Sequence, residues 1–315
     1  MKHYIGIDLG GTNIAAGLVT ETGEMHYQCS TPTGANRATD EILADMAAVA
    51  SLCRRSAGLA PEDICSIGIG VPGAVNDALG KVYFTANLDW EDLPLSRLMR
   101  ERTGIETHLA NDADCAALGE VIAGGAAGYD SAVMVTIGTG IGGGFIADRK
   151  IFRGWSGVGT EPGHMPLIYG GELCGCGCRG CFETYASATA LIRQTRNAMR
   201  AHPDSLLWEV CPELGLVNAK TPFDAALRGD EVSIRLLDQY EEYLAAGIGG
   251  IINLSRPHCV IIGGGVSNQG ETLLAPLREK LKKYCYASKY ITPPPVIKAQ
   301  LGNDAGIIGA ALQAL

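Results

Sequence analysis

His164 and four cysteines within the eight residues Cys174-Gly175-Cys176-Gly177-Cys178-Arg179-Gly180-Cys181 form the densest set of chemically capable side chains in the chain. Thiolates and imidazole suit zinc, and the interleaved glycines let a short backbone fold tightly around one ion. Five candidates compete for four places. Cys174 and Cys176 lie two apart and Cys181 closes the loop across Gly177 and Gly180, so the expected ligands are His164, Cys174, Cys176 and Cys181, with Cys178 outside the set. The plain alternative, a group of reduced buried thiols, fits four cysteines in so short a stretch poorly. With four protein ligands no position stays open, so a zinc here is expected to be structural.

Two glycine turns carry a second kind of chemistry. Asp8 precedes Gly10-Gly11-Thr12-Asn13. Gly10 and Gly11 have no side chains, so backbone N–H groups there can approach an anion, and Thr12 and Asn13 add short donors. Gly-Gly is equally a common hairpin turn, and on these residues alone the two readings stand level. Asp8 tips the balance toward phosphate, because a carboxylate there can hold a hydrated magnesium that accompanies nucleotide phosphates; its plain role is to cap the turn. Gly138, Gly140 and Gly143 match a dinucleotide fingerprint in spacing only. That fingerprint opens a helix, whereas this one runs into the strand-like Phe145-Ile146-Ala147. Nor is there a Walker A sequence, since Gly80-Lys81 is followed by Val82. Asp112, in Asn111-Asp112-Ala113, sits between the alternating stretch 105–110 and a helical run from Asp114. Spacing alone favours a helix cap; the alternative is a general base for a hydroxyl attacking a phosphoryl group.

These residues need elements to position them. The opening reads strand, glycine turn, strand over 4–19, and the same order returns over 132–147, with Gly10 opposite Gly138 when Ile5 is aligned with Val133. The echo predicts a duplicated α/β unit with one phosphate-facing turn from each half lining a cleft. Between the hairpins, Ile42, Leu43, Met46, Val49 and Ala50 have helical spacing and 66–71 is a short apolar strand. Later, 186–201 and 230–253 read as helices, 259–262 as a buried strand entering Gly263-Gly264-Gly265, and 270–283 and 304–315 as helices. The expected division is a small N-terminal α/β domain, 1–112, joined by helix 304–315, and a larger one, 113–303, carrying the zinc loop 164–183.

Composition narrows the function classes. At 315 residues two domains are the natural expectation, and the 42 glycines suit tight turns and close backbone approaches. A formal net charge of -9 opposes general binding to nucleic acid or anionic membrane. No run approaches the roughly 18 apolar residues of a membrane span. An acid at position 8 interrupts any signal peptide, so a cytoplasmic protein is expected, in which 11 cysteines are not a disulfide framework.

The quoted stretches, with Gly70-Val71-Pro72-Gly73, Asn87-Leu88-Asp89-Trp90, Glu161-Pro162-Gly163-His164 and Cys174-x-Cys176-Gly177-x-x-Gly180-Cys181-x-Glu183, closely resemble the ROK family of sugar kinases and sugar-responsive repressors. The resemblance spans nearly the whole chain. It implies two actin/hexokinase-like (ribonuclease H-like) α/β domains flanking a cleft, a homodimer, and ATP-dependent phosphorylation of the 6-hydroxyl of an aldohexose. Glucose comes first among the sugars, ahead of mannose, allose, N-acetylmannosamine and N-acetylglucosamine. In this reading Asp112 is the base. Gly10, Gly11, Thr12, Asn13, Gly138, Thr139 and Gly140 hold ATP phosphates, Asp8 sits near magnesium through water, and Gly264 and Gly265 lie against adenosine. Asn87, Asn111, Asp112, Glu161, His164 and Glu183 contact sugar hydroxyls, with the backbone near Gly73 closing the pocket. His164 then serves both zinc and sugar, one ring nitrogen each. Three residues depart from the family pattern: Asp114 where Asn is frequent, Thr160 where Gly commonly precedes the Glu, and Cys178 inside the loop. A repressor of this family carries an N-terminal helix-turn-helix domain, for which a first strand at residue 4 leaves no room. A nucleic-acid-binding zinc ribbon is opposed by Glu161, Glu172 and Glu183 around the cysteines.

Overall fold

The alternating apolar residues at the start of the chain become β1 (His3–Leu9) and β2 (Asn13–Thr20), an antiparallel pair in which Asp8 faces Ala15. This computed structural model describes residues 1–85 and 87–315. After β3 (Met25–Pro32) and α1 (Thr39–Ser56), β4 (Ile64–Val71) lies parallel to β1. A small antiparallel sheet follows, β5 (Gly73–Asn76), β6 (Lys81–Thr85) and β7 (Glu91–Leu93), then α2 (Leu95–Thr103), β8 (Thr107–Asn111) and α3 (Asp112–Ala123). The five-stranded sheet runs β3-β2-β1-β4-β8, with β8 parallel to β4. The carboxyl ends of β1, β4 and β8 therefore share one edge of the sheet, where ligands of α/β folds collect. One face is covered by α1, whose Ile42, Leu43, Met46, Val49, Ala50 and Cys53 pack with Ile5, Ile7 and Leu9.

The second hairpin is β9 (Ala132–Ile137) and β10 (Ile141–Ala147), followed by β11 (Lys150–Ile151). The helices α4 (Glu183–Ala186), α5 (Ala188–Ala201), α6 (Leu207–Val210), α7 (Thr221–Leu227) and α8 (Glu231–Ser255) come next, then β12 (Cys259–Gly263), α9 (Glu271–Tyr284) and β13 (Val296–Lys298). Its sheet runs β11-β10-β9-β12-β13, the first sheet's order repeated strand for strand. Each turn is closed by the N–H of its first glycine, Gly10 to Asn13 C=O at 2.9 Å and Gly138 to Gly140 C=O at 3.0 Å, the second turn being one residue tighter. The duplicated α/β unit expected from the echoing hairpins is present. α8 is capped by Asp230, which accepts the Ser233 N–H, and buries Leu237, Tyr240, Leu244, Ile248 and Ile251 at helical spacing. Among the described residues no helix is long and apolar enough to cross a membrane.

The chain ends in α10 (Asp304–Leu312), and glycines decide how it packs. A Cβ on Gly68 would stand 1.7 Å from the Ala310 carbonyl oxygen, and one on Gly6 1.9 Å from that of Ile307. The helix backbone rests directly on β1 and β4 because those strands offer no side chain there. On the α3 side, a Cβ on Gly309 would stand 1.7 Å from the Cys115 carbonyl and one on Gly119 2.2 Å from that of Ala305. Gly68→Ala is expected to cost about 3 kcal/mol or more, since the obstacle is backbone that must shift. An unchanged thermal midpoint in that variant would contradict this seating.

Two compact units result: residues 1–134, 144–160 and 299–315, and residues 135–143 and 161–298. The expected division puts 113–303 in the second domain, whereas 113–134, 144–160 and 299–303 group with the first unit. α3 groups with the first because its Cys115 and Gly119 pack backbone to backbone on α10.

Candidate active site and metal cluster

In the first unit, Asp8, one residue before the end of β1, lies beside Gly70 of β4, and Asn111 ends β8 beside Val71. The N-cap of α3 is Asn111, not Asp112: its Oδ1 accepts the Ala113 N–H at 2.8 Å and the Asp114 N–H at 3.4 Å. Its Nδ2 donates to the Gly73 carbonyl at 3.2 Å, tying Gly73 to the same corner. Asp112 is the first helical residue, and its Oδ1 also accepts the Ala113 N–H at 2.9 Å. The cap reading of Asp112 thus passes to its neighbour. Burial raises the Asp112 carboxyl above the ordinary range, against the pull of the Ala113 N–H and the Asn111 side chain. Asp8 is pushed up to about 6, by burial first and then by the charge of Asp112. The second acid of this corner is therefore Asp8. Asp114 is buried and turns its carboxylate toward Gly144 and Gly159.

The Gly10–Asn13 turn leaves Thr12 and Asn13 exposed, and a Cβ on Gly11 would stand 3.1 Å from the Asn87 side chain. Asn87 therefore lies against the Gly10–Asn13 turn. Thr33 was not foreseen. Fully buried, it donates Oγ1 to the Gly10 carbonyl at 2.6 Å and its N–H to the Thr12 carbonyl at 3.0 Å, bracing both sides of the turn. Asp77 and Arg153 were also missed. Distant in sequence, they meet at Leu109, where spacing gives no sign of them.

In the second unit, the turn between β9 and β10 is braced from α4 and α5. Ala188 N–H donates to the Gly138 carbonyl at 2.9 Å, and Glu183 Oε2 accepts the Ile141 N–H at 3.0 Å. A Cβ on Gly140 would stand 2.0 Å from that Glu183 oxygen, so a larger residue there would displace the Glu183 carboxylate. A groove of about 250 Å³ beside the turn is lined by Thr139, Gly140, Glu183, Ser187 and Arg193 among others. Gly264 has φ +78 and backs onto Ile137, leaving Gly264 and Gly265 exposed at the end of β12. Glu161 precedes the turn Pro162–His164, and buried Gly163 is pressed against the Ile141 carbonyl.

His164, Cys174, Cys176 and Cys181 come together, each offering a ligand atom within 4.8 Å of all the others. Cys174 Sγ lies 3.7 Å from His164 Nδ1, and Cys176 Sγ 3.7 Å from Cys181 Sγ. Sulfurs about 2.3 Å from a tetrahedral zinc lie about 3.8 Å apart, so the donor set fits that ion. Cys178 is not among the four; its carbonyl accepts the Cys174 N–H at 2.8 Å. The Cys178 backbone lowers the exposed Cys176 thiol to about 7, within reach of the thiolate a metal needs. Gly180 permits the hairpin, since a Cβ there would stand 1.7 Å from the Ile168 carbonyl. Phe182 anchors the loop by lying on Gly247 of α8. Glu183 then links cluster and turn: its Oε1 accepts from Cys174 Sγ at 3.4 Å.

Known proteins resemble this chain over nearly its whole length. The glucokinase of Thermotoga maritima is 37% identical over 308 residues, spanning 98% of this chain and 95% of that protein. The crystal structure of a ROK family glucokinase from Streptomyces griseus in complex with glucose and AMPPNP superposes with a TM-score of 0.79 at 35% identity, covering 98% of both chains. For the ROK hexokinase from Thermus thermophilus the TM-score is 0.84 at 32% identity, covering 99% of this chain and 97% of that one. The model of the ROK family matches residues 4–315, nearly the whole chain that carries these turns and this Cys₃His group: the chain belongs to the ROK family.

Proposed function

We propose that this chain is a glucokinase that moves the γ-phosphoryl group of ATP to the 6-hydroxyl of glucose, with Asp112 as general base. The observation that carries the mechanism is the strand end at β8. Asn111 takes over the cap, so a half-buried Asp112 carboxylate is left at the sheet edge where ligands collect. The similarity to glucokinases over nearly the full length supports the substrate. Asp112 accepts the hydroxyl proton as O6 attacks the γ-phosphorus, and the bond to the β–γ bridging oxygen breaks to release ADP.

The other residues position and neutralise. Asn87, Asn111 and Asp112 from the first unit, and Glu161, His164 and Glu183 from the second, offer the amides and acceptors that sugar hydroxyls require, with the Gly73 backbone beside Asn111. The turns at 10–13 and 138–140 offer N–H groups to phosphates, and Gly264 and Gly265 an open backbone to adenosine. Asp8, crowded by Asp112, is suited to hold hydrated magnesium, which would offset phosphate charge when bound. Zinc on His164, Cys174, Cys176 and Cys181 would fix the loop between Glu161 and Glu183.

A coupled assay over glucose, mannose, allose, N-acetylmannosamine and N-acetylglucosamine tests the reading. Glucose is expected to give the highest kcat/KM. A preference for another hexose would correct the substrate; tight sugar binding with no phosphorylation of any would replace the enzyme with a sensor.

A further inference from the structure

β8 is an edge strand, paired with β4 on one side. Such an edge leaves alternate backbone N–H and C=O groups without a strand to meet them. At Leu109 two side chains take the missing strand's place. Its N–H donates to Asp77 Oδ1 at 2.8 Å, and its C=O accepts from Arg153 Nη1 at 2.8 Å. The two side chains, 22% and 25% exposed, also face each other, with Arg153 Nη2 3.8 Å from Asp77 Oδ2. His108 Nδ1 lies 3.4 Å from that same carboxylate oxygen, and Arg153 Nη2 donates to Gln313 Oε1 at 3.1 Å. The residue before Asp77 extends the link: Asn76 Nδ2 donates to the Ser156 carbonyl at 2.7 Å. Residues 76 and 77 thus hold both β8 and the loop that runs from Arg153 toward Glu161.

Leu109 stands two residues before the Asn111 cap and three before Asp112. We propose that Asp77 and Arg153 are positioning residues for phosphoryl transfer: together they grip the Leu109 backbone through the two peptide groups that flank it and so hold the Asp112 carboxylate in line with the hydroxyl it deprotonates. Water could satisfy an open strand edge, but it would not fix the strand. A two-sided charged grip limits sliding of β8 along β4, and displacements near 1 Å can cost on the order of 100-fold in rate. The inference rests on Asp112 being the base.

The test compares Asp77→Ala, Arg153→Ala, the double variant, Asp77→Asn and Arg153→Lys in the full chain. It measures kcat, the KM values for glucose and ATP, and amide hydrogen exchange by segment. Each Ala variant is expected to lose kcat by up to about 100-fold with the ATP KM unchanged. The double variant should lose no more than the worse single one, because both side chains hold the same residue of β8. Asp77→Asn keeps an oxygen for the Leu109 N–H and should recover most of the rate. Arg153→Lys replaces a fork by a point donor and should recover less. Exchange should quicken in 105–113 and not in 3–20. Losses that add, an Asn variant no better than Ala, or exchange that quickens everywhere would each overturn the proposal, leaving a stability role. If Asp112→Asn abolishes turnover while the clamp variants keep wild-type kcat, the clamp falls and the base stands. A wild-type chain that phosphorylates no hexose overturns both.

Discussion

Asp112→Asn is expected to lower kcat by about 10²- to 10⁴-fold, the usual contribution of a general base, with glucose and ATP binding close to wild type. The amide retains the shape of the carboxylate and an oxygen for the Ala113 N–H, and Asn111 continues to cap α3, so the fold has no reason to fail. What is lost is the ability to accept a proton. The pH profile gives a second reading of the same group. A base works ionised, so the rate is present above its pKa and lost as pH falls through it. Burial raises the Asp112 carboxyl, so that acid limb should lie above the roughly 3.9 of an unperturbed aspartate. Asp8, pushed up to about 6 in the free protein, protonates on the same side, so kcat/KM should fall more steeply than a single ionisation allows. Removing the Asp112 charge removes one of the two causes that hold Asp8 up. Wild-type turnover by Asp112→Asn would exclude it as the base, and a limb at the ordinary carboxylate value would show that neither group matters in the free enzyme.

What the sequence revealed about this site depended on how local each feature is. The paired strand-turn-strand segments were legible because alternation and glycine placement repeat within a few residues, and Gly10 and Gly138 each donate the N–H that closes a turn. The cluster was legible for the same reason: its thiols sit in one hairpin, and spacing alone separated Cys178 from the other three. Asn111 and Asp112 were harder. Both are good caps, and only the backbone geometry at the end of β8 assigns the cap to Asn111. The glycine floor beneath α10 left no readable sign. Gly6 and Gly68 look like ordinary strand glycines until a helix some 240 residues or more further on rests against them. Asp77 and Arg153 are of that kind too, brought together at Leu109 by tertiary packing alone. The strands β5, β6 and β7 are too short, at three to five residues, to show a period.

Cys176→Ser is expected to abolish zinc binding and raise the glucose KM by about 10- to 100-fold, with a smaller rise for ATP. The cluster has no open position, so its influence on the sugar must pass through the side chains it orients. Two such routes leave it. His164 approaches Cys174 through Nδ1, which leaves Nε2 for a sugar hydroxyl, so losing the metal frees both ring direction and tautomer. Glu183 is the other route: its Oε1 lies 3.4 Å from Cys174 Sγ and its Oε2 accepts the Ile141 N–H, so it touches both the cluster and the glycine turn. The ATP effect should be smaller because the turn has an independent brace, the bond from Ala188 N–H to the Gly138 carbonyl. Metal analysis beside glucose and ATP titrations separates the routes. A glucose loss with ATP nearly unchanged assigns the coupling to His164. Equal losses for both ligands move it to Glu183. Unchanged glucose affinity in a zinc-free protein would refute the coupling, since a loop that keeps its shape without metal gives zinc no route to the sugar.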